Sequence, residues 1–389
     1  MSGIVISASV RQNLLSLQST AELLSTTQNR LATGNKVNSA LDNPTNFFTA
    51  QGLNNRASDI NNLLDSIGNG VQVLQAANTG ITSLQKLVDT AKSIANQVLQ
   101  APTGYSAKST VSSVAALGGT TANLVDGTTI KSGDILAIAA STGQPAFTFT
   151  FGASTSLNQL NTALAASNLQ AGLDSNNKLV ITTTNDAASS TIGAVTFTNT
   201  GGGTATFAAA GSVPVADPAS QNIRSSLVAQ YNNIIQQITT TSQDASFNGI
   251  NLLNGDNLKL TFNETGKSTL NITGVTFNAT GLGLASLATG TDFLDNSSAN
   301  KALSLLSSAS TTLRTEASAL GSNLSIVQIR QDFSKSLINV LQTGSSNLTL
   351  ADTNEEAANS QALSTRQSIA VSALALANQS QQSVLKLLQ

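Results

Sequence analysis

Apolar residues recur along the first arm of the chain at alternating steps of three and four positions. Such steps place side chains on one stripe of an α-helix, as in a coiled coil. Gly34, followed by Asp42-Asn43-Pro44, predicts the end of this helix. The stripe consists of Val10, Leu14, Leu17, Ala21, Leu24, Gln28 and Leu31, of which only Gln28 is polar.

A second stripe begins at Leu53 in a different heptad phase, which predicts a second helix after a linker. A helix over residues 53–100 would be about 70 Å long at 1.5 Å per residue, too long for a compact globule. Its positions are Leu53, Ala57, Ile60, Leu64, Ile67, Val71, Leu74, Asn78, Ile81, Gln85, Val88, Lys92, Ala95 and Leu99.

Residues 103–218 are rich in Thr, Ser, Gly and Ala, and their pattern favours strands. Phe147-Thr148-Phe149-Thr150-Phe151 alternates with period two, as a half-buried strand does. The turn residues 174–177 followed by Leu179-Val180-Ile181 predict a hairpin. Leucines spaced along 157–169 predict a short helix on that sheet.

Helical spacing resumes after Asp217-Pro218, and strand patterns return within residues 247–290. The predicted helix has Leu227, Tyr231, Ile234 and Ile238, and the predicted strands are 258–262, 270–272 and 275–277. Two further stripes follow: Leu303, Leu306, Ser310, Leu313, Ala317, Leu320, Leu324, Val327, Gln331, Ser334, Ile338 and Leu341, then Leu363, Ala370, Leu374, Ala377, Gln381, Val384 and Leu388.

Heptads at both ends with strands between them predict a mainly α fold with added β structure. We expect long antiparallel coiled-coil arms from the two termini and a β-rich domain inserted between the helices. The chain would run out along a rod, form the β structure and return, so that both termini lie together.

Composition excludes much enzyme chemistry. Charged residues make up 10% of the chain against about 25% on average, the net charge is −2, and His, Cys and Trp are absent. Imidazole and thiolate sites are therefore excluded, and an enzyme is the weakest alternative. An isoelectric point near 5.1 without a basic block argues against nucleic acid.

We expect no cofactor, no metal and no membrane span. Four aspartates of the middle block are candidate cation ligands, but scattered turn aspartates more often close Asx-turns. They are Asp126, Asp134, Asp174 and Asp186. The N-terminus lacks the basic and apolar regions of a secretory signal, so export would use no cleaved signal peptide.

The stripes predict two kinds of packing: helices paired within one chain, or terminal arms that also pack against other copies. The last twenty residues carry one charge, Lys386, which favours the second alternative. We expect the arms to be disordered in the monomer and to fold on assembly into a helical polymer. The predicted subunit-interface residues are Val10, Leu14, Leu17, Ala21, Leu24, Leu31, Leu363, Ala370, Leu374, Ala377, Val384, Leu385 and Leu388. The predicted packing residues of the rod are Leu53, Ile60, Leu64, Ile67, Val71, Leu74, Ile81, Val88, Leu313, Leu320, Leu324 and Val327.

Three segments resemble bacterial flagellins. Residues 30–44 (RLATGNKVNSALDNP) are similar to the segment after the first flagellin helix, and residues 247–253 (FNGINLL) to the flagellin Phe-Asn-Gly turn. Residues 366–388 resemble the flagellin carboxyl terminus, with Ala-Asn-Gln at 377–379 and a closing Val-Leu-x-Leu-Leu at 384–388.

The resemblance implies a structural subunit that polymerises into the extracellular flagellar filament and serves motility. It implies export by flagellar type III secretion, an export chaperone bound through the C-terminal region, and filament cap and hook–filament junction proteins as partners. The implied domains are D0 (1–44 and 345–389), D1 (45–102 and 219–344, a helical rod with β-hairpins) and a surface-exposed outer domain (103–218).

The position of the β-rich block departs from the usual flagellin pattern, because it precedes Phe247 instead of following it. We interpret it as an outer domain inserted at a helix junction. Two alternatives with the same architecture are a hook–filament junction protein and a surface adhesin that binds through this block.

Overall fold

The computed structural model describes residues 8–387, and for residues 384–387 it describes the backbone alone. The described residues form six α-helices and ten β-strands. The helices are α1 (Ala8–Thr33), α2 (Pro44–Gln100), α3 (Leu157–Leu164), α4 (Pro218–Asp244), α5 (Asn296–Thr349) and α6 (Thr353–Leu387). The strands are β1 (Tyr105–Ala107), β2 (Thr110–Ser112), β3 (Ile135–Ile138), β4 (Phe147–Thr150), β5 (Leu169–Leu173), β6 (Leu179–Thr183), β7 (Val195–Thr198), β8 (Val215–Ala216), β9 (Asn257–Thr261) and β10 (Thr269–Thr273).

This order of elements confirms the predicted fold class, with long helices towards both ends of the sequence and strands in the middle. The described residues divide into two compact units. Unit 1 comprises residues 8–70, 259–270 and 326–387, and unit 2 comprises residues 71–258 and 271–325.

In unit 1, α1 and α6 form an antiparallel pair, because the end of α1 meets the beginning of α6. Gly34 ends α1 at φ +70°, a conformation that costs glycine little. The carbonyl of Gly34 accepts a hydrogen bond of 3.0 Å from the N–H of Ala351, and Asn35 bridges to Leu350. These bonds fasten the connection after α1 to the connection before α6.

The beginning of α2 packs against the end of α5 in unit 1 through Ala57, Ile60, Ile338 and Leu341. The helix begins at Pro44, nine residues before the predicted stripe. Asn43 precedes it, and its side chain accepts a hydrogen bond of 3.0 Å from the N–H of Asn46, while proline at the first helical position donates no bond there.

Residues of α2 and α5 contact the part of the β9–β10 hairpin that belongs to unit 1. Arg56 pairs with Glu264 at 2.7 Å, and the guanidinium of Arg330 lies 5.6 Å from the ring centre of Phe262. Gly70 allows Leu260 to approach α2, since a Cβ on Gly70 would lie 2.4 Å from a methyl carbon of that leucine.

Within unit 2, the β-rich block has a hydrophobic core of its own. Two antiparallel sheets, ordered β2-β6-β5 and β4-β3-β7, contribute to it together with Leu160 and Leu164 of α3. The predicted helix, hairpin and Phe-rich strand are confirmed. Ser156 and Gln159 form a reciprocal capping box that explains why α3 begins at Leu157.

The predicted strand 275–277 is wrong. The N–H groups of Val275 and Phe277 donate to the carbonyls of Leu252 and Leu253 at 2.8 and 2.9 Å, and one isolated bridge joins Asn254 to Thr276. The segment is extended and its Phe277 is buried. The alternation of apolar and polar residues therefore reflects packing against residues 252–254 and does not indicate a strand of a sheet.

Candidate functional site

The face of α1 that packs against α6 contains only three of the seven residues of the predicted stripe. Val10 is buried there, and Leu17 and Leu24 are half-buried. The rest of the covered face is polar: Thr20 and Thr27 are buried and Asn13 is half-buried. Of the other predicted interface residues on α1, Ala21 is half-buried, whereas Leu14 and Leu31 are exposed.

The covered face of α6 follows a regular heptad. Its members recur at steps of four and three residues and lose exposure against α1. They are Glu356, Ser360, Leu363, Gln367, Ala370, Leu374, Ala377 and Gln381. The predicted residues Leu363, Ala370, Leu374 and Ala377 therefore lie on the α1 side. The predicted side chains of Val384 and Leu385, and the whole of Leu388, lie outside the described residues.

Apolar side chains also lie on the faces of α1 that α6 does not cover. Leu14, Leu15, Leu23 and Leu31 are all exposed, Leu15 to 66%. At 100° per residue, Leu15 projects opposite to Leu17 and Leu24, and Leu23 projects to the side. The α1–α6 pair therefore leaves these leucines of α1 exposed to solvent.

Apolar side chains are also exposed on the face of α6 that points away from α1. Ile369 and Leu376 are 65% and 70% exposed, and their separation of seven residues places both on the face opposite to Leu374. No charged residue occurs between Arg366 and Lys386, so this surface has little charge to hold water. The predicted interface did not include this second stripe, although its i, i+7 spacing is visible in the sequence.

One ion pair joins the base of the helix pair. Arg30 lies in the last turn of α1 and Glu356 in the first turn of α6, and their Nη1 and Oε1 atoms are 3.3 Å apart. Each charge has the sign that the nearby helix dipole favours. The pair thus fixes the level at which the two helices meet.

The residues predicted to pack the rod are largely buried. Leu53, Leu64 and Leu324 are half-buried, and the remaining nine are buried. Those nine are Ile60, Ile67, Val71, Leu74, Ile81, Val88, Leu313, Leu320 and Val327.

A buried arginine in unit 2 was not among the predicted residues. Arg224 of α4 is fully buried, and its guanidinium donates to the carbonyls of Val98, Ala101, Pro102 and Phe293 and to Oδ1 of Asn296, at 2.6–3.0 Å. Burial lowers its pKa, and the nearby Asp295 opposes that shift. Arg224 therefore connects the end of α2 to the beginning of α5 where the β-rich block departs.

The four candidate aspartates each accept hydrogen bonds from the protein itself. Backbone N–H groups of turn residues bind Asp126, Asp134 and Asp174, and the amide of Asn300 binds Asp186. Within the described part of the chain, no three acidic side chains form a group that could hold a metal ion. None of the helices in residues 8–387 is both long and apolar enough to cross a membrane.

Comparison with known proteins identifies several flagellins as relatives of this chain. Flagellins FljM, FljO and FljK of Caulobacter vibrioides are each 31% identical to it over 163 residues. The aligned region is 41% of this chain and spans 58% of the length of each relative.

Two family models match as well. The model of the bacterial flagellin N-terminal helical region matches residues 5–126, and that of the bacterial flagellin C-terminal helical region matches residues 303–388. Because these regions together cover more than half of the chain, the protein belongs to the bacterial flagellin family.

Proposed function

We propose that the protein is the structural subunit of a bacterial flagellar filament and polymerises through α1 and α6. The observation that carries this proposal is the second apolar face of each terminal helix. Ile369 and Leu376 on α6, and Leu15 and Leu23 on α1, are exposed although α1 and α6 already cover each other. Neighbouring copies of the same chain are the occupants that the family membership favours.

The energy for assembly comes from burial of these side chains. A large aliphatic side chain moved from water into a packed interface contributes about 1.5–3 kcal/mol. Part of that gain offsets the lost freedom of the subunits. The absence of charge between Arg366 and Lys386 keeps the cost of desolvation low. A contact between different faces of identical copies extends into a helical fibre when the rotation from copy to copy does not close a ring.

The remaining features follow from the flagellin family. The filament would be extracellular, act as the propeller for motility, and be built from subunits exported by type III secretion without a cleaved signal peptide. We expect D0 at 1–44 and 345–389, D1 at 45–102 and 219–344, and an outer domain at 103–218. An export chaperone at the C-terminal region, a cap and hook–filament junction proteins are the expected partners. The ordering of the arms on assembly stays a prediction.

Leu376→Asp and Ile369→Asp test the proposal. A carboxylate on the back of α6 would be buried without a partner in the polymer, so we expect at least a tenfold loss of sedimentable filaments. Because both side chains are exposed in the subunit, circular dichroism of the soluble variants should match that of the parent. Electron microscopy would check the morphology of whatever sediments.

The matched control is Val213→Asp, since Val213 is 77% exposed but lies in the β-rich block. This variant should polymerise like the parent. Normal filaments from both α6 variants would contradict the proposal, as would an unsubstituted protein that forms no filaments when seeded.

A further inference from the structure

A cavity of about 200 Å³ lies in unit 2 between α4, the beginning of α5 and the segment that precedes α5. Its apolar lining consists of Ala285, Leu287, Ala302 and Leu305. Its polar lining consists of Tyr231, Asp292, Ser298 and Lys301. We name it the Tyr231 cavity. All of these residues belong to one chain, so a single subunit is sufficient to form the cavity.

Tyr231 brings an unpartnered hydroxyl to this cavity. Its side chain is only 2% exposed, and its hydroxyl forms no hydrogen bond with any residue of 8–387. The fully enclosed side-chain groups without a partner in this part of the chain are the hydroxyls of Thr183 and Thr184. The Tyr231 hydroxyl is not among them, so it reaches the open space of the cavity that Tyr231 lines. Burial raises the pKa of Tyr231 to about 12, so at neutral pH this hydroxyl can both donate and accept.

The wall of the Tyr231 cavity is held in place by hydrogen bonds and ring packing. The side-chain amide of Asn232 donates to the carbonyl of Leu287, and its oxygen accepts from the N–H of Leu287, both at 2.8 Å. The ring of Phe293 lies edge-to-face on that of Tyr231, with 5.8 Å between the ring centres. Phe293 adopts φ +62°, a conformation that costs a bulky residue free energy. The wall is therefore preorganised, which lowers the entropy that a ligand must offset.

Two side chains of opposite charge line this cavity without pairing with each other. Lys301 and Asp292 form no ion pair with any charged group of residues 8–387. One carboxylate oxygen of Asp292 accepts a hydrogen bond of 2.7 Å from the N–H of Ala288, which orients the carboxylate and leaves its other oxygen without a donor in the described chain. Two unlike charges at one cavity are the complement of a ligand that carries both signs.

We propose that the Tyr231 cavity binds a free aromatic α-amino acid that carries a hydroxyl on its ring. The carboxylate of the ligand would pair with Lys301, its ammonium with Asp292, and its hydroxyl with that of Tyr231. An apolar cavity of about 150 Å³ holds benzene, so about 200 Å³ accommodates one substituted ring against the leucines of the lining. This binding goes beyond the proposed function, because it requires neither a second copy nor a filament.

Titration of unpolymerised full-length subunits with L-tyrosine, followed by saturation-transfer NMR of the ligand, tests the proposal. Three analogues each lack one of the groups that the cavity is proposed to recognise. L-phenylalanine lacks the ring hydroxyl, tyramine lacks the carboxylate, and 3-(4-hydroxyphenyl)propionate lacks the ammonium. We expect saturable binding of L-tyrosine and at least about fivefold weaker binding of each analogue, the loss that one hydrogen bond or ion pair typically causes. No saturable binding of L-tyrosine, or equal affinity for all four compounds, would overturn the proposal.

Tyr231→Phe and Lys301→Met assign the binding to this cavity. Tyr231→Phe keeps the ring that packs on Phe293, so it should weaken L-tyrosine about fivefold and leave the affinity for L-phenylalanine unchanged. A disturbed fold would weaken both ligands equally. Lys301→Met should weaken L-tyrosine and leave tyramine, which has no carboxylate, unchanged. The matched control is Lys86→Met, an exposed lysine on α2 in unit 2, which should bind all four compounds like the parent. Unchanged L-tyrosine binding by both cavity variants would place the binding elsewhere and overturn the proposal.

Discussion

The N–H of Asp217 donates a hydrogen bond of 2.9 Å to the carbonyl of Gly104. The segments through which the chain enters and leaves the β-rich block are therefore neighbours. Strands β1 and β8 pair just beyond this bond. The block between them has its own core. Adjacent ends and an independent core are typical of a segment whose removal the rest of a protein tolerates. The block contacts the beginning of α5 through hydrogen bonds such as those of Ser189 with Asp295.

Replacing residues 105–216 by two glycines is therefore expected to leave polymerisation intact. Gly104 and Asp217 are close enough for a short turn, and the predicted assembly helices α1 and α6 lie in the other unit. Sedimentation and electron microscopy of the deletion variant check this. Loss of filaments with retained helical circular dichroism would show that the block takes part in assembly. The surface-adhesin alternative instead predicts that binding to a surface disappears with the block.

Arg224→Met should destabilise unit 2 severely. The substitution leaves buried carbonyl groups, among them those of Val98 and Phe293, without a donor, and each unsatisfied group costs about 1–3 kcal/mol. We expect the free energy of unfolding to fall by about 3 kcal/mol or more, measured by urea titration with circular dichroism.

The control for Arg224 is Arg314→Met, an exposed arginine on α5, which should change the free energy of unfolding by less than about 0.5 kcal/mol. Equal stabilities of the two variants would show that the hydrogen bonds of Arg224 are replaceable by water.

Heptad spacing identified the helices well but did not determine which flank of α1 faces α6. The sequence favoured Leu14 and Ala21, whereas the structure covers Thr20 and Thr27. A threonine is tolerated there because its hydroxyl can bond to its own helix, as Thr20 Oγ1 does to the carbonyl of Ser16 at 2.8 Å. A prediction that considers only apolar residues places such a threonine on the solvent-exposed face.

No feature of the sequence around Arg224 indicates its buried role. Its acceptors lie about 70 and 120 residues away along the chain, and an arginine in a polar stretch of helix is ordinarily exposed. The β-rich block shows the opposite case. The Asx-turn at Asp174 and the alternation around Phe149 are local, and both were predicted correctly. The features that could not be predicted depend on contacts between distant segments.

The stability of the β-rich block should depend on pH through Asp126. Burial acts to raise the pKa of this carboxyl, but hydrogen bonds from the Thr129 hydroxyl and from the N–H groups of Thr128, Ile130 and Thr129 lower it to about 2. In the unfolded chain the pKa is about 3.9. Because the folded pKa is the lower one, Asp126 stabilises the block above about pH 3.9, and this contribution is lost as the pH falls through about 2.

Asp126→Asn removes the carboxylate and keeps an acceptor oxygen, so its effect should itself depend on pH. We expect the variant to unfold at lower urea than the parent at pH 5, and the difference in free energy of unfolding to fall at pH 2.5 to about a third of that value. The exposed Asp59 provides the control: Asp59→Asn should match the parent at both pH values. A difference for Asp126→Asn that is the same at pH 5 and pH 2.5 would mean that the ionised form is not what the four donors stabilise.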